Sequence, residues 1–319
     1  MKKIPVRSLI QVAIPLFLLA IFTFCIVFPD TVPFLQIKVK SYDGIGSEIF
    51  TLKGPGGRGK AISFALKRVP AGVAPTGCTD IPDGTVVKDP FMLAETEVTA
   101  GLWARVVALS AARGYAFTRP ESPLKKDKYP AEKVSWENAV IWCNALSEAL
   151  SLEPVYYADA AFTEPLRTVS ALTKLDDEPF VKESSRGFRL PYSAEWELAA
   201  RYIDGVTWNH GGCPSGSPVL YFSGSIASGY AIFRADGAAP VKSKASNRLG
   251  LYDMSGNVWE WCFDRFAEST DDPLAHQKRV VRGGSWSGNA YRLQIGGKFG
   301  TLPDAVENAQ GFRIARSGW

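Results

Sequence analysis

Leu249-Gly250-Leu251-Tyr252-Asp253-Met254-Ser255-Gly256-Asn257-Val258-Trp259-Glu260-Trp261 is the stretch that decides the fold. Ser255-Gly256-Asn257 reads as a turn, because glycine accepts a left-handed backbone and Ser and Asn hydrogen-bond their own chain. Behind it, Val258 to Trp261 alternates faces as a strand does. Moving outward to the C-terminal side, Arg279-Val280-Val281-Arg282 reads as a strand stopped by Gly283-Gly284, and Gly311-Phe312-Arg313-Ile314 starts another. Between them, residues 287–310 show neither helical nor strand period and are rich in Gly, Asn, Ala and Tyr. That is the composition of an exposed loop on a rigid frame, where binding function tends to sit.

On the N-terminal side the helical period appears. Residues 91–99 read as a strand running into a helix capped by Thr99, with Leu102, Trp103, Val106 and Leu109 at helical spacing. A second helix starts at Ser135, its apolar stripe passing through Trp136, Ala139, Val140, Cys143, Leu146 and Leu150. A third starts near Ser193, just past Pro191, with Glu195 and Glu197 where the helix dipole favours acids. Trp196, Ala199 and Ala200 form its inner face. Residues 49–52 and 62–69 read as hairpin strands joined by Gly54-Pro55-Gly56-Gly57-Arg58-Gly59, and residues 34–39 as a short extended stretch. The connections 153–187 and 203–248 are long and irregular, with a small strand expected at Val155-Tyr156-Tyr157. Few helices, many short strands and long loops make an α+β domain, not a doubly wound sheet.

The chain has 319 residues, 21% charged and 46% hydrophobic, which is an ordinary globular balance with length enough for a sizeable core. Net charge is +4 and no basic run exceeds residues 124–128, so a nucleic-acid partner is not indicated. Nine Trp residues point to a Trp-laden core. Residues 1–30 read as a targeting segment: Lys2, Lys3 and Arg7 precede an apolar run from Leu9 to Phe28. Left uncleaved, that run is long enough to span a bilayer; alternatively Cys25 is the lipid acceptor of a lipoprotein signal, although Phe24 stands where a small residue is usual. Either way the expectation is an exported protein at the cell surface or outer membrane, touching the membrane only through this anchor. Residues 31–61 form an N-terminal extension with a hairpin strand, and 62–319 the main domain. Export permits disulfides among Cys78, Cys143, Cys213 and Cys262, whose three pairings the sequence leaves open; Cys143, on an apolar stripe, reads as a buried thiol.

Six blocks in order carry a resemblance: residues 95–99, 134–139, Arg189-Leu190-Pro191 with 194–197, 250–261, Arg282-Gly283-Gly284-Ser285-Trp286, and Gly311-Phe312-Arg313. Together they resemble the sulfatase-modifying-factor family, whose type member is the formylglycine-generating enzyme. The resemblance implies a C-type lectin fold of that enzyme's type, with a small twisted antiparallel sheet, few helices and much irregular loop. The family's oxidase holds copper on two cysteines after Gly-Gly-Ser-Trp, yet residues 287–310 contain no cysteine, and nothing else there supplies the soft ligands that cuprous copper requires. A second, iron-dependent branch uses histidines of an added domain, whereas His210 and His276 lack any ligand spacing. The chain is therefore expected not to be an enzyme and to need no cofactor. The resemblance does imply calcium ligands at Asp253, Gly256, Val258 and Glu260; the other reading of Asp253 and Glu260 is that they satisfy turn backbone.

The same blocks resemble the variable proteins diversified by bacterial retroelements, in which template adenines are randomised so that Asn codons become codons for many residues. Lys, Glu, Gln, Met and Trp are unreachable from such codons, and between residues 287 and 306 only Gln294 and Lys298 fall outside the reachable set. The variable region would lie within residues 283–316. The mix of Tyr, Ser, Gly and Asn there also matches antibody-like paratopes. Ser287, Gly288, Asn289, Tyr291, Arg292, Ile295, Phe299, Gly300, Thr301 and Leu302 are accordingly expected to contact a ligand, with Tyr291, Arg292 and Phe299 as anchors. Trp259, Trp261 and Trp286 would support them. The expected partner is a protein or surface ligand bound by a monomer. The alternatives are an oxidase of the resembled family or an accessory binding module that is not diversified.

Overall fold

The computed structural model describes residues 39–41, 46–118, 127–174, 176–221, 227–266 and 274–318. The targeting segment and Cys25 lie outside the described residues, as does all of the extended stretch but Val39. Three antiparallel strands come first: β1 (Val39–Ser41), β2 (Ser47–Leu52) and β3 (Ile62–Val69). Leu52 pairs with Ile62, so the glycine-rich turn closes the hairpin the sequence predicts. β4 (Gly72–Thr76) and β5 (Ile81–Val87) make a second hairpin, and β6 (Phe91–Ala94) returns to pair with β3.

The predicted helices follow with their caps. Helix α1 (Ala100–Ser110) starts where the Thr99 hydroxyl accepts the Leu102 N–H at 3.3 Å. Helix α2 (Trp136–Ala149) starts where the Ser135 hydroxyl accepts the Asn138 N–H at 3.2 Å. Helix α2 is buried along nearly its whole length and carries Asn144 inward. That amide donates to the Tyr156 and Leu166 carbonyls and accepts from the Val155 and Tyr156 N–H groups, which ties the long connection after α2 to the core. Within the connection lie β7 (Tyr156–Tyr157), the short α3 (Val169–Thr173) and β8 (Phe180–Val181), which pairs with β7. β9 (Phe188–Arg189) leads into α4 (Ser193–Arg201), where the Glu195 carboxylate accepts the Tyr192 N–H. The last strands are β10 (Trp259–Arg265), β11 (Arg279–Arg282), β12 (Phe299–Thr301), β13 (Gln310–Phe312) and β14 (Ala315–Ser317).

The strands assemble mainly into a six-stranded sheet, β1-β2-β3-β6-β14-β9, and a four-stranded sheet, β12-β11-β10-β13. Two features depart from the sequence reading. The segment after Gly-Gly-Ser-Trp is not wholly irregular, because Phe299–Thr301 pairs with β11; three residues are too few to display a strand period. The smaller sheet is also not wholly antiparallel. Residues 302–309 cross from β12 at one edge to the opposite edge, where β13 runs parallel to β10. Trp136, Trp142, Trp196 and Trp261 are fully buried, and Trp103 stacks on Trp142 with Phe312 edge-on to both. The Trp-laden core is real. All four described cysteines are unpaired, and Cys143 is buried on α2.

Candidate functional site: a loop face on an ionic frame

The motif residues around the loop are consumed in holding it. Asp253, Gly256 and Asn257 adopt left-handed backbone (φ 58°, 80° and 59°), and a Cβ on Gly256 would stand 2.2 Å from the Ile232 carbonyl oxygen. This turn aims Glu260 into the core. There Arg313 donates Nε and Nη2 to its two carboxylate oxygens at 2.6 Å each, and Trp196 Nε1 adds a third bond at 2.7 Å. Arg313 also donates to the Ala94 and Tyr252 carbonyls, so one guanidinium ties together both sheets and the turn; both side chains of the pair are 0% exposed. Arg282 repeats the device for the loop itself. It donates to Glu197 at 2.8 Å, to Ser193 Oγ at 2.7 Å, and to the Gly297 carbonyl at 3.0 Å and the Ile295 carbonyl at 3.3 Å. Gly283 and Gly284 (φ 89° and 79°) then let the chain turn tightly under Arg292, whose carbonyl oxygen would lie 2.5 Å from a Cβ on Gly284.

At Asp253, Gly256, Val258 and Glu260, the positions that the resemblance gives to calcium, both carboxylates already have partners. Both Glu260 oxygens face a guanidinium, and a dication would have to displace that cation from a buried site. Asp253 accepts the Lys242 N–H, and burial pushes its carboxyl up to about 6. The Val258 N–H and the Asn257 amide donate to Glu97, whose carboxyl burial and the neighbouring Asp253 and Glu260 hold well above the usual range. Among the described residues no group of three or more His, Cys, Asp or Glu is arranged to hold a metal. Asp253 satisfies a turn backbone group, whereas Glu260 pairs with Arg313 and the Trp196 indole.

Above this frame the loop residues separate into two sets. Ser287 and Asn289 are exposed, Gly288 is half-buried, and Tyr291 is 54% exposed with its ring edge-on to Tyr221 at 5.7 Å. The Arg292 guanidinium lies 4.1 Å over the Phe299 ring, which meets Trp259 edge-on at 5.2 Å. Trp259 and Trp286 are half-buried at the face, and Trp261 lies wholly in the core with its indole N–H on the Val134 carbonyl. Trp286 is fixed twice, by its indole N–H to Glu132 at 2.8 Å and its backbone N–H to Asn257. Thr301 and Leu302 are half-buried toward the far end, where Leu302 borders a cleft of about 790 Å³ that also holds Glu137, Asp177 and Asp304.

Two predicted contact residues belong to the frame instead. Ile295 is 0% exposed and packs in the core, out of a ligand's reach; residues 290–293 form a 3-10 turn that points the Leu293 and Ala290 side chains inward and draws the chain after them. Gly300 does not shape the face, because a Cβ there would meet the Phe266 ring at 2.4 Å: it is small so that the ring can lie against β12. Gln294, one of the two residues outside the retroelement-reachable set, is likewise buried and donates to the Tyr291 carbonyl.

No local pattern announces the wall beside this face. Arg234 N–H donates to the Gly288 carbonyl and Ala235 N–H to the Trp286 carbonyl, so residues 231–235 run along the loop and extend its surface. Tyr221 joins from the same irregular connection. No periodicity marks that segment, and only tertiary pairing brings it here.

Residues 63–318 match the Sulfatase-modifying factor enzyme 1-like domain. A Paenibacillus barcinonensis protein named Chaperone protein LppX is 29% identical over 273 residues, 80% of this chain and 90% of that protein. The Inactive C-alpha-formylglycine-generating enzyme 2 of Mus musculus is 35% identical over 140 residues, and the match spans 44% of its length, so less than half of that relative is represented. Among solved structures, Treponema denticola variable protein 1 matches with a TM-score of 0.61 at 31% identity, covering 81% of this chain and 96% of that one.

Proposed function

The chain belongs to the sulfatase-modifying factor family and has its α+β C-type lectin fold; from that premise we propose that it is a binding protein whose ligand contacts the loop between residues 287 and 302. The observation that carries this reading is the division within the loop. Ser287, Asn289, Tyr291, Arg292 and Phe299 reach the surface, while the side chains that hold the frame lie beneath them and are satisfied without any ligand. Such a surface changes composition without disturbing the fold, which is what a diversified face requires. Similarity to a variable protein over most of both chains supports the reading. The partner is a protein, engaged by a monomer exported to the cell surface. Among the described residues no helix is long and apolar enough to cross a membrane.

DNA sequencing on either side of the gene tests the diversified reading. A reverse-transcriptase gene and a near-copy of the 3′ coding end differing at adenines are expected; absence of both removes it. The competing reading, an oxidase, draws on the family alone, since residues 287–310 hold no cysteine to bind copper. Incubation with copper, oxygen and a Cys-x-Pro-x-Arg peptide should yield no aldehyde, and a detectable aldehyde would establish the oxidase.

A further inference from the structure

A small pocket of about 400 Å³ opens beside the loop, lined by Ser228, Ala231, Ile232, Phe233, Arg234, Ala235 and Lys244. Its wall is bonded to the loop through the Arg234 and Ala235 N–H groups, at 3.1 Å to Gly288 and 2.9 Å to Trp286. Arg234 holds a left-handed backbone (φ 49°), which side-chain-bearing residues adopt rarely and which persists when the surroundings over-determine it. The charges distinguish this pocket from the buried frame. Arg189, Arg201, Arg279, Arg282, Arg313 and Arg316 all pair with carboxylates. Among the described residues, Arg234 and Lys244 are the pocket's only ionisable lining groups, and neither side chain has a hydrogen-bond or ion-pair partner there. Asp236 is exposed nearby but does not line the pocket.

We propose that this pocket is an anionic subsite of the binding face and takes an acidic side chain, Asp or Glu, of the bound protein. The inference rests on the proposed binding role and deepens it. An apolar floor of Ala231, Ile232 and Phe233 suits the methylene stem of such a side chain. Two cations in the lining suit its carboxylate, with Arg234 offering a planar fork. Because residues 231–235 are bonded to residues 286 and 288, the subsite keeps its position while the exposed loop residues change, so it would supply a constant anchor beside a changing face.

The test uses the full chain in two arms. N-acetyl-glutamate methylamide is titrated while the arginine Nε–H signals are followed by NMR, with N-acetyl-glutamine methylamide as the uncharged control. A saturable shift of the Arg234 signal is expected with the acidic probe alone, weakened about tenfold by Lys244→Ala. No saturable shift, an equal shift with the amide, or a shift spread evenly over surface arginines overturns the subsite. In the second arm, random peptides displayed on phage are selected on the protein. Selected sequences should be enriched in Asp and Glu, and should lose retention on the Arg234→Ala/Lys244→Ala double variant. Retention that depends on Tyr291 but not on the two cations overturns the subsite and leaves the binding role standing. A positive first arm with retention indifferent to both Tyr291 and the cations overturns the binding role instead.

Discussion

Replacing Arg313 with Met tests whether the family's motif residues build a frame or do chemistry. The guanidinium makes two 2.6 Å bonds to Glu260 and one each to the Ala94 and Tyr252 carbonyls, with no exposure on either member of the pair. Met fills a similar volume, so the loss is chiefly electrostatic. Glu260 is left buried with only the Trp196 indole, near Glu97 and Asp253. Stranding one member of a buried pair costs about 3–5 kcal/mol, and two orphaned carbonyls add roughly 1 kcal/mol or more each, less than additively. The single variant should therefore lose about 4–6 kcal/mol in urea unfolding, a large share of the roughly 5–15 kcal/mol that domains possess. Adding Glu260→Met removes the stranded charge. The double variant should recover at least about 2 kcal/mol of the loss and still fold. A single variant within about 1 kcal/mol of wild type, or a double variant no better than the single, would refute the frame account.

Three further outcomes follow from the same geometry. Ile295→Ala should cost about 2–5 kcal/mol because it empties a core site, whereas Tyr291→Ala should stay within about 0.5 kcal/mol, both by denaturant unfolding. Gly284→Ala should fold poorly, since φ 79° and an Arg292 carbonyl 2.5 Å from the new Cβ both oppose it; thermal melting reads the loss. Burial, with Asp177 and Asp304 beside it, raises Glu137 from 4.5 to about 7, so the folded state binds its proton more tightly than the unfolded chain does. That contribution is complete below pH 4.5 and is lost as pH rises through 7. Wild type should lose up to about 3 kcal/mol over that range from this group, and Glu137→Gln should flatten the profile.

Much of the frame was legible because its signals are local. Thr99 and Ser135 announce their helices through side-chain oxygens three residues from the N–H they cap, and Gly283-Gly284 announces a backbone only glycine tolerates. The strand β12 was not legible, since its pairing with β11 is decided across the sheet and not within three residues. Composition set residues 287–302 apart but could not separate Tyr291 from Ile295, which differ in which way a 3-10 turn sends the chain. Packing places Ile295 in the frame for that reason, and Gly300 because the Phe266 ring lies against it across the sheet. Glu260 carries a ligand-like side chain, but no local pattern announces that Arg313, distant in sequence, pairs with it. The wall at 231–235 reaches the face only by backbone bonds to residues 286 and 288, which no single stretch of sequence records.

The central claim is that a changeable surface rides on a fixed frame. Sequencing the 3′ end of this gene across many isolates tests it most directly. Substitutions should concentrate at Ser287, Asn289, Tyr291, Arg292 and Phe299, with the buried Ala290, Leu293, Gln294 and Ile295 unchanged among them. Substitutions spread evenly over buried and exposed positions, or an invariant exposed set, would contradict the claim.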